Sequence, residues 1–157
     1  MPDTVCCMRI QAPDALENPL IDEVVLYDLF DHFGPEVTFE LLGEFVVTLD
    51  RFEAQLDDVR WADDAATFTY ITHKLFGTSG MFGAARLSNL AVELNPRENT
   101  DLLQSVDTCS KQLQELIRQT AAAYRGFEEA CKTYCDCSQL RNLEYISQVL
   151  AEFQVAA

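Results

Sequence analysis

The sequence has few basic residues and no long apolar run. Lysine and arginine number 11 against 26 aspartates and glutamates, which gives a net charge of −15 at pH 7. A chain this acidic repels phosphates, so its composition argues against binding nucleic acid or an anionic membrane through charge. No stretch approaches the roughly 20 apolar residues of a membrane-spanning helix, and residues 1–13 lack the apolar core of a secretory signal. We therefore expect a cytoplasmic protein.

Glycine-rich nucleotide-binding loops, internal repeats and strand-like alternation are also missing. The chain has no GxGxxG pattern and no Asp/Asn set typical of an ATP–Mg²⁺ site, so it is not expected to be a kinase. Apolar residues recur instead at spacings of three and four almost throughout. A chain of 157 residues is long enough for one domain with a real core. The pattern therefore predicts an all-α protein, an antiparallel helical bundle with short connections.

Caps and helix breakers place the first three helices. Asn18-Pro19 is typical of a helix start and Gly34-Pro35 of a helix end. The first helix is expected between them and the second from Pro35 onward. A polar break over residues 57–64 precedes a third helix. The glycine-punctuated stretch from Gly77 to Gly83 is expected to weaken or bend the end of this third helix.

Three further helices follow. The fourth is expected from about Ala84 to Leu94, where Asn95-Pro96 ends it. The fifth keeps its apolar spacing for about 30 residues, from Leu102 to Cys131, which predicts a helix that packs along a bundle or projects from it. Ser138 is expected to cap a last helix. That helix would either cover the bundle or pair with another chain.

The negative charge is distributed unevenly. Residues 1–64 carry 16 acids and 3 bases, and residues 96–157 carry 9 acids and 6 bases. Residues 65–95 carry one acid and two bases, which gives this central segment a net charge of +1. An anion would meet the least repulsion there. The alternative is a buried central helix that simply has few charges.

Of the two histidines, His73 is the candidate for chemistry. His32 falls in the last turn of the first predicted helix, where a cation suits the negative helix end, and is expected to be structural. Positions three, four and seven residues after a helical residue share its face. After His73 they hold Phe76, Gly77 and Gly80. Glycine inside a helix costs about 1 kcal/mol relative to alanine, so a functional reason for these two glycines is expected.

Two interpretations of this face are open. The glycines leave the imidazole over bare backbone, accessible to a close partner, while the predicted core residues lie on other faces of the helix. An exposed neutral imidazole has a nitrogen lone pair that can accept a phosphoryl group and later release it. The alternative is a surface histidine beside two glycines that serve helix packing.

The segment from His73 to Leu87 resembles the signature of histidine-containing phosphotransfer domains, approximately H-x-L-K-G-[SA]-[SA]-G-x-x-G-x-x-x-L. It shares with that pattern the histidine, the leucine two positions later, the glycines at plus four, seven and ten, and the leucine at plus fourteen. Residues 26–34 and 41–45 also look like the first two helices of that family. The resemblance covers roughly residues 18–130.

The resemblance implies a four-helix bundle over residues 18–130, with residues 1–17 as an N-terminal tail and residues 131–157 as a C-terminal helical extension. His73 would take a phosphoryl group from the aspartate of a receiver domain and pass it to another receiver. The partners implied are response-regulator receivers and hybrid histidine kinases. The protein would be a carrier rather than an enzyme. The receiver's Mg²⁺ and basic residues would stabilise the transferred charge, so this chain would need no metal or nucleotide.

The same resemblance implies roles for residues near His73. Gly77 and Gly80 would let the receiver come close to the imidazole. The family has a polar residue at plus twenty-two that lies near the imidazole on the neighbouring helix. Asn95 holds that position here and would orient the ring.

One position departs from the family. Phe76 stands where the family usually has a lysine at plus three, which removes a charge beside the phosphate and adds apolar contact surface. Lys74 and Arg86 are the bases of the central segment, and they are the candidates for phosphate or partner contact in its place. The departure leaves a second hypothesis, a degenerate docking module that binds a receiver or kinase without carrying phosphate.

The six cysteines suggest a third hypothesis. In a reducing compartment they are most simply free thiols. Cys131, Cys135 and Cys137 form a C-x3-C-x-C pattern, for which zinc would need a fourth ligand such as Cys109 or one of the Cys6-Cys7 pair. Cys131 also continues the apolar stripe of the fifth helix. Core packing is therefore the alternative to a cysteine-based metal or redox protein.

Overall fold

Helices are the only regular secondary structure in the residues that the computed structural model describes, which are 18–58, 65–96, 106–133 and 136–154. The α-helices are α1 (Glu23–Asp58), α2 (Ala65–Phe82), α3 (Ala85–Glu93), α4 (Val106–Thr133) and α5 (Leu143–Leu150). Two short 3-10 helices, Cys137–Gln139 and Ala151–Phe153, flank α5. The prediction of an all-α protein is confirmed. None of the helices in these ranges is long and apolar enough to cross a bilayer.

Helix α1 consists of two helical segments that meet at Gly34. This glycine has φ +76° and ψ 169°, a conformation that residues with a Cβ rarely adopt. Pro35 follows and starts the second segment. The Thr38 hydroxyl donates to the Leu29 carbonyl at 3.0 Å and so joins the two segments across the break. The predicted end of the first helix is therefore confirmed.

The predicted start of the first helix is wrong. The helix begins at Glu23, where the Asp22 carboxylate accepts the Val24 N–H at 2.9 Å, so Asp22 and not Asn18 provides the cap. Residues 20 and 21 are fully buried ahead of the helix. The chain therefore enters the core in a non-helical conformation before the helix starts, which local cap preferences cannot reveal.

The predicted cap of the last helix is also wrong. Helix α5 begins at Leu143, and the Asn142 side chain accepts from the Glu144 N–H at 3.0 Å. Ser138 lies in the preceding 3-10 helix, where Asp136 caps it by accepting the Ser138 N–H. Both segments contain two residues suited to capping within a few positions, and tertiary packing selects between them.

The helices share one hydrophobic core. Helix α4 packs along α1, and α2 pairs with α3 across the turn at Gly83. Aromatic rings join the layers, since the Phe45 ring of α1 lies 4.8 Å from that of Phe82 and 5.3 Å from that of Tyr124, measured between ring centroids. Such pairs contribute about 0.5–1.5 kcal/mol each beyond the apolar area that they bury. Packing against this core leaves one face of α2 exposed to solvent.

The C-terminal segment, residues 136–154, lies on α1 and α4. The Gln154 side chain accepts the Ile21 N–H at 3.0 Å and donates to the Ile21 carbonyl. The ring of Phe153 covers Gly126 so closely that a Cβ there would lie 2.5 Å from it. Of the two expected arrangements, the last helix thus covers the bundle and shares its core, while residues 1–17 lie outside the described ranges.

The buried Tyr124 links α4 to the end of α2. Its hydroxyl donates to the Phe82 carbonyl at 2.6 Å. Burial raises the pKa of this phenol well above its usual value, and the nearby Asp22 carboxylate adds to the rise. Tyr124→Phe is expected to lower the free energy of unfolding by about 1–2 kcal/mol at pH 7, because the carbonyl loses its donor.

This loss should shrink at high pH. A raised folded-state pKa means that the stability from Tyr124 is complete below the unfolded value of about 10 and decreases as the pH rises above it. Urea unfolding of wild type and Tyr124→Phe at pH 7 and pH 11 tests this. An equal difference at both pH values would contradict a phenol buried in its neutral form.

Candidate functional site

Helix α2 turns one face to the core and the other to solvent. Phe68, Ile71 and Leu75 recur at spacings of three and four and are fully buried. His73 lies off this stripe and is exposed, as its spacing from these residues predicted. No hydrogen bond or ion pair holds its ring among the described residues. The imidazole is therefore accessible to another molecule.

The two glycines that follow His73 differ in what they face. A Cβ built on Gly77 would meet nothing within 4 Å, so the surface beside the imidazole is open there. A Cβ on Gly80 would lie 3.6 Å from the Ser88 hydroxyl oxygen of α3, an ordinary contact. That hydroxyl donates to the Phe76 carbonyl at 3.0 Å and thereby joins α3 to α2. A Cβ would thus face open space at Gly77, while Gly80, which is also exposed, borders the neighbouring helix.

Lys74 is the only lysine, arginine, aspartate or glutamate in the sequence of α2. Its ammonium lies 5.7 Å from the centroid of the Tyr70 ring, one helical turn earlier. A cation at this distance from an aromatic face is attracted by the ring quadrupole. Sequence reasoning missed Tyr70, although an aromatic residue four positions before a lysine on a helix was a signal that could have found it.

Large apolar side chains surround His73 on this face. Tyr70 and Phe76, one turn before and after it, are 55% and 49% exposed, and Met81, two turns after it, is 69% exposed. Soluble proteins rarely leave several large apolar groups together in water unless another molecule covers them. Together with the open surface at Gly77, they make this face of α2 suited to close contact with a partner.

The two remaining predicted residues are Arg86, which lies in α3, and Asn95, which follows it. Arg86 donates from Nε to the Asn18 carbonyl at 3.2 Å, and its N–H donates to the Pro19 carbonyl at 3.0 Å. It therefore ties α3 to the segment before α1. Asn95 is buried just after α3, and within the described ranges no hydrogen bond joins it to His73. A phosphate contact for Arg86 and an orienting role for Asn95 stay predictions.

The cysteines do not form a cluster in the described part of the chain. Cys109 and Cys131 are buried in the core, as core packing required, and Cys137 is exposed. Among the described residues, no group of three His, Cys, Asp or Glu side chains could hold a metal ion. Cys135 and the Cys6-Cys7 pair lie outside the described residues.

The site thus joins an exposed imidazole, one cation and several exposed apolar side chains on a single helix. Comparisons with protein-family models, with curated proteins and with solved structures found no match. An accessible imidazole can form a transient covalent bond, and no side chain covers the backbone beside it at Gly77.

Proposed function

We propose that the protein is a phosphorelay carrier, in which His73 accepts a phosphoryl group from the aspartate of a receiver domain and passes it to another receiver. The observation that carries the proposal is the exposed His73 beside Gly77, where a Cβ would meet nothing within 4 Å. The resemblance of residues 73–87 to the histidine-containing phosphotransfer signature supports the same conclusion.

In the transfer step, a lone pair on one ring nitrogen of His73 attacks the phosphorus of the aspartyl phosphate. The P–N bond forms as the P–O bond to the aspartate breaks, and that electron pair leaves with the carboxylate. The other ring nitrogen keeps its proton, so the phosphorylated ring is cationic until it loses this proton to water. Transfer to the second receiver reverses these changes. Mg²⁺ on the receiver would neutralise much of the charge on the phosphoryl oxygens.

The electrostatics of α2 suit this chemistry. The chain carries a net charge of −15, yet the helix that bears His73 has no aspartate or glutamate. An approaching phosphoryl group therefore meets less repulsion here than over the acidic helix α1. The exposed side chains of Phe76 and Met81 supply apolar area for a receiver to bury.

The proposal includes the antiparallel four-helix arrangement of the family and a cytoplasmic location. The order of the helices supports the four-helix arrangement, since the kinked α1 is followed by the α2–α3 pair and by the long α4, which packs along α1. The C-terminal segment lies on α1 and α4 and leaves the His73 side of α2 exposed. A receiver could then approach α2 without displacing any described helix.

A second candidate is a docking module that binds a receiver or kinase without carrying phosphate. The observation that favours it is Phe76, which is about half exposed at the position where the family has a lysine. Such a module would bind a receiver through the same face of α2 and would not become phosphorylated.

His73→Gln is the test of the proposal. Incubation with a receiver domain that carries ³²P-aspartyl phosphate should label the wild-type protein with acid-labile, alkali-stable phosphate. His73→Gln should reduce this label at least about 100-fold, because α2 has no other histidine to supply the attacking nitrogen. His32→Gln is the matched control and should label as the wild type does, since His32 lies on α1 with its Nδ1 2.9 Å from the Asp28 carbonyl oxygen.

Two outcomes would count against this function. Label that persists in His73→Gln would remove this histidine from the mechanism. A wild-type protein that binds the receiver, as measured by calorimetry, but takes no label would support the docking module instead.

A further inference from the structure

Transferred phosphate is anionic, and α2 offers a single cation to meet it. Lys74 is that cation, because the position one turn after His73 holds Phe76. A lysine on an exposed helix has a long flexible stem with many accessible rotamers. In a chain with a net charge of −15, its ammonium would also be attracted to the many carboxylates on other helices. A fixed position for this ammonium therefore needs a cause.

The ring of Tyr70 supplies one. The Lys74 ammonium lies 5.7 Å from its centroid, within the range of a cation–π contact. At 100° per residue, Tyr70 and Lys74 lie about 60° and 100° around the helix axis from His73, on the same side of it. The ring thus holds the ammonium over the face that carries the imidazole. The ring leaves the positive charge of the ammonium intact, whereas a carboxylate would neutralise it.

Tyr70 is not required by the core. Its side chain is 55% exposed, and it is not among the partly buried side chains that pack against the core within the described residues. An exposed aromatic ring that contributes little to folding is free to serve the site. Its removal should leave the helix and the core intact.

We infer that Tyr70 is a positioning residue for phosphoryl transfer, whose ring holds the Lys74 ammonium where it stabilises the phosphoryl group on His73. The inference rests on the proposed function, and it adds a residue that the resemblance does not name. Lys74 acts on the phosphoryl oxygens directly, and Tyr70 acts through Lys74.

A double-mutant cycle tests the inference. Transfer from the ³²P-labelled receiver and the lifetime of the phosphohistidine are measured for wild type, Tyr70→Leu, Lys74→Gln and the double variant. Tyr70→Leu should lower both about two- to fivefold, in keeping with an exposed cation–π contact. Lys74→Gln should lower them at least as much, and the double variant should equal Lys74→Gln alone. Tyr70→Phe, which keeps the ring, should restore wild-type values.

Val47→Ala provides a matched control, because Val47 is an apolar residue of α1 that is 56% exposed. It should leave both quantities unchanged. A Tyr70→Leu effect that persists in the Lys74→Gln background would overturn the inference, since the ring would then act through docking and not through the lysine. Wild-type values in Tyr70→Leu would overturn it as well.

A readout without phosphate separates this inference from the proposed function. In NMR spectra of the unphosphorylated protein, the ε-methylene protons of Lys74 should show a ring-current shift that is lost in Tyr70→Leu and kept in Tyr70→Phe. Absence of that shift overturns the positioning by Tyr70 even if His73 is phosphorylated. If the wild-type protein shows this ring-current shift but takes no ³²P label, the proposal of phosphotransfer is wrong. The role of Tyr70 in that transfer is then wrong as well.

Discussion

Gly77→Leu is expected to slow phosphoryl transfer to His73 by at least about tenfold while making the protein slightly more stable. The added side chain starts in open space, because a Cβ at this position has nothing within 4 Å. It would occupy the space one turn from the imidazole through which the receiver must approach. Leucine is also a better helix former than glycine by about 1 kcal/mol, so the free energy of unfolding should rise.

Gly43→Leu is the matched control for this prediction. Gly43 lies inside α1, where a Cβ would also meet nothing within 4 Å, and it is on a different helix from His73. It should gain similar stability and transfer phosphate at the wild-type rate. Rapid-quench measurement of transfer and thermal unfolding of both variants provide the comparison. Equal transfer rates in the two variants would show that the open surface at Gly77 is not the route of the receiver.

Gly83→Ala is expected to lower the free energy of unfolding by about 2–4 kcal/mol. Gly83 has φ +86°, which strains any residue with a Cβ by about 1–3 kcal/mol. A Cβ there would also lie 3.0 Å from the Asp22 carbonyl oxygen and 3.1 Å from the Val25 Cβ, and overpacking of this kind costs about another 1–3 kcal/mol. The position is further constrained because the Gly83 carbonyl accepts the Asp22 N–H at 2.6 Å.

The same chemical change should have the opposite sign at Gly43. Gly43→Ala places its Cβ in open space within a helix and should stabilise the protein by up to about 1 kcal/mol. The free energies of unfolding of the two variants, measured with urea, should therefore differ by several kcal/mol. A Gly83→Ala variant as stable as the wild type would mean that the turn between α2 and α3 is not packed against the start of α1.

Much of the fold could be predicted from local signals. The break at Gly34, the end of α3 near Asn95 and the long helix α4 all follow from backbone preferences and from apolar spacing along one helix. The predictions that Asn18 and Ser138 cap helices were wrong, because Asp22 and Asn142, a few positions away, are equally suited to capping. Burial of the chain just before α1 selects Asp22, and that burial involves helices distant in the sequence.

Some features of the candidate site could also be predicted from local signals, whereas others depend on the tertiary structure. The spacing of His73 from the core residues of α2 was enough to predict its exposure. That Gly77 faces open space while Gly80 faces Ser88 depends on where α3 lies. The contact of Arg86 with the Asn18 carbonyl equally depends on a segment 68 residues away.

The order of amino acids by itself determined that the chain is helical, where most of its helices end, and which side of α2 bears His73. Only the tertiary structure decided which glycine beside it borders α3, that Arg86 is already hydrogen-bonded, and how the last helix covers the core. The reason is physical. Periodicity reports the direction of a side chain relative to its own helix axis, whereas the neighbour over that side chain is set by packing between segments far apart in the chain.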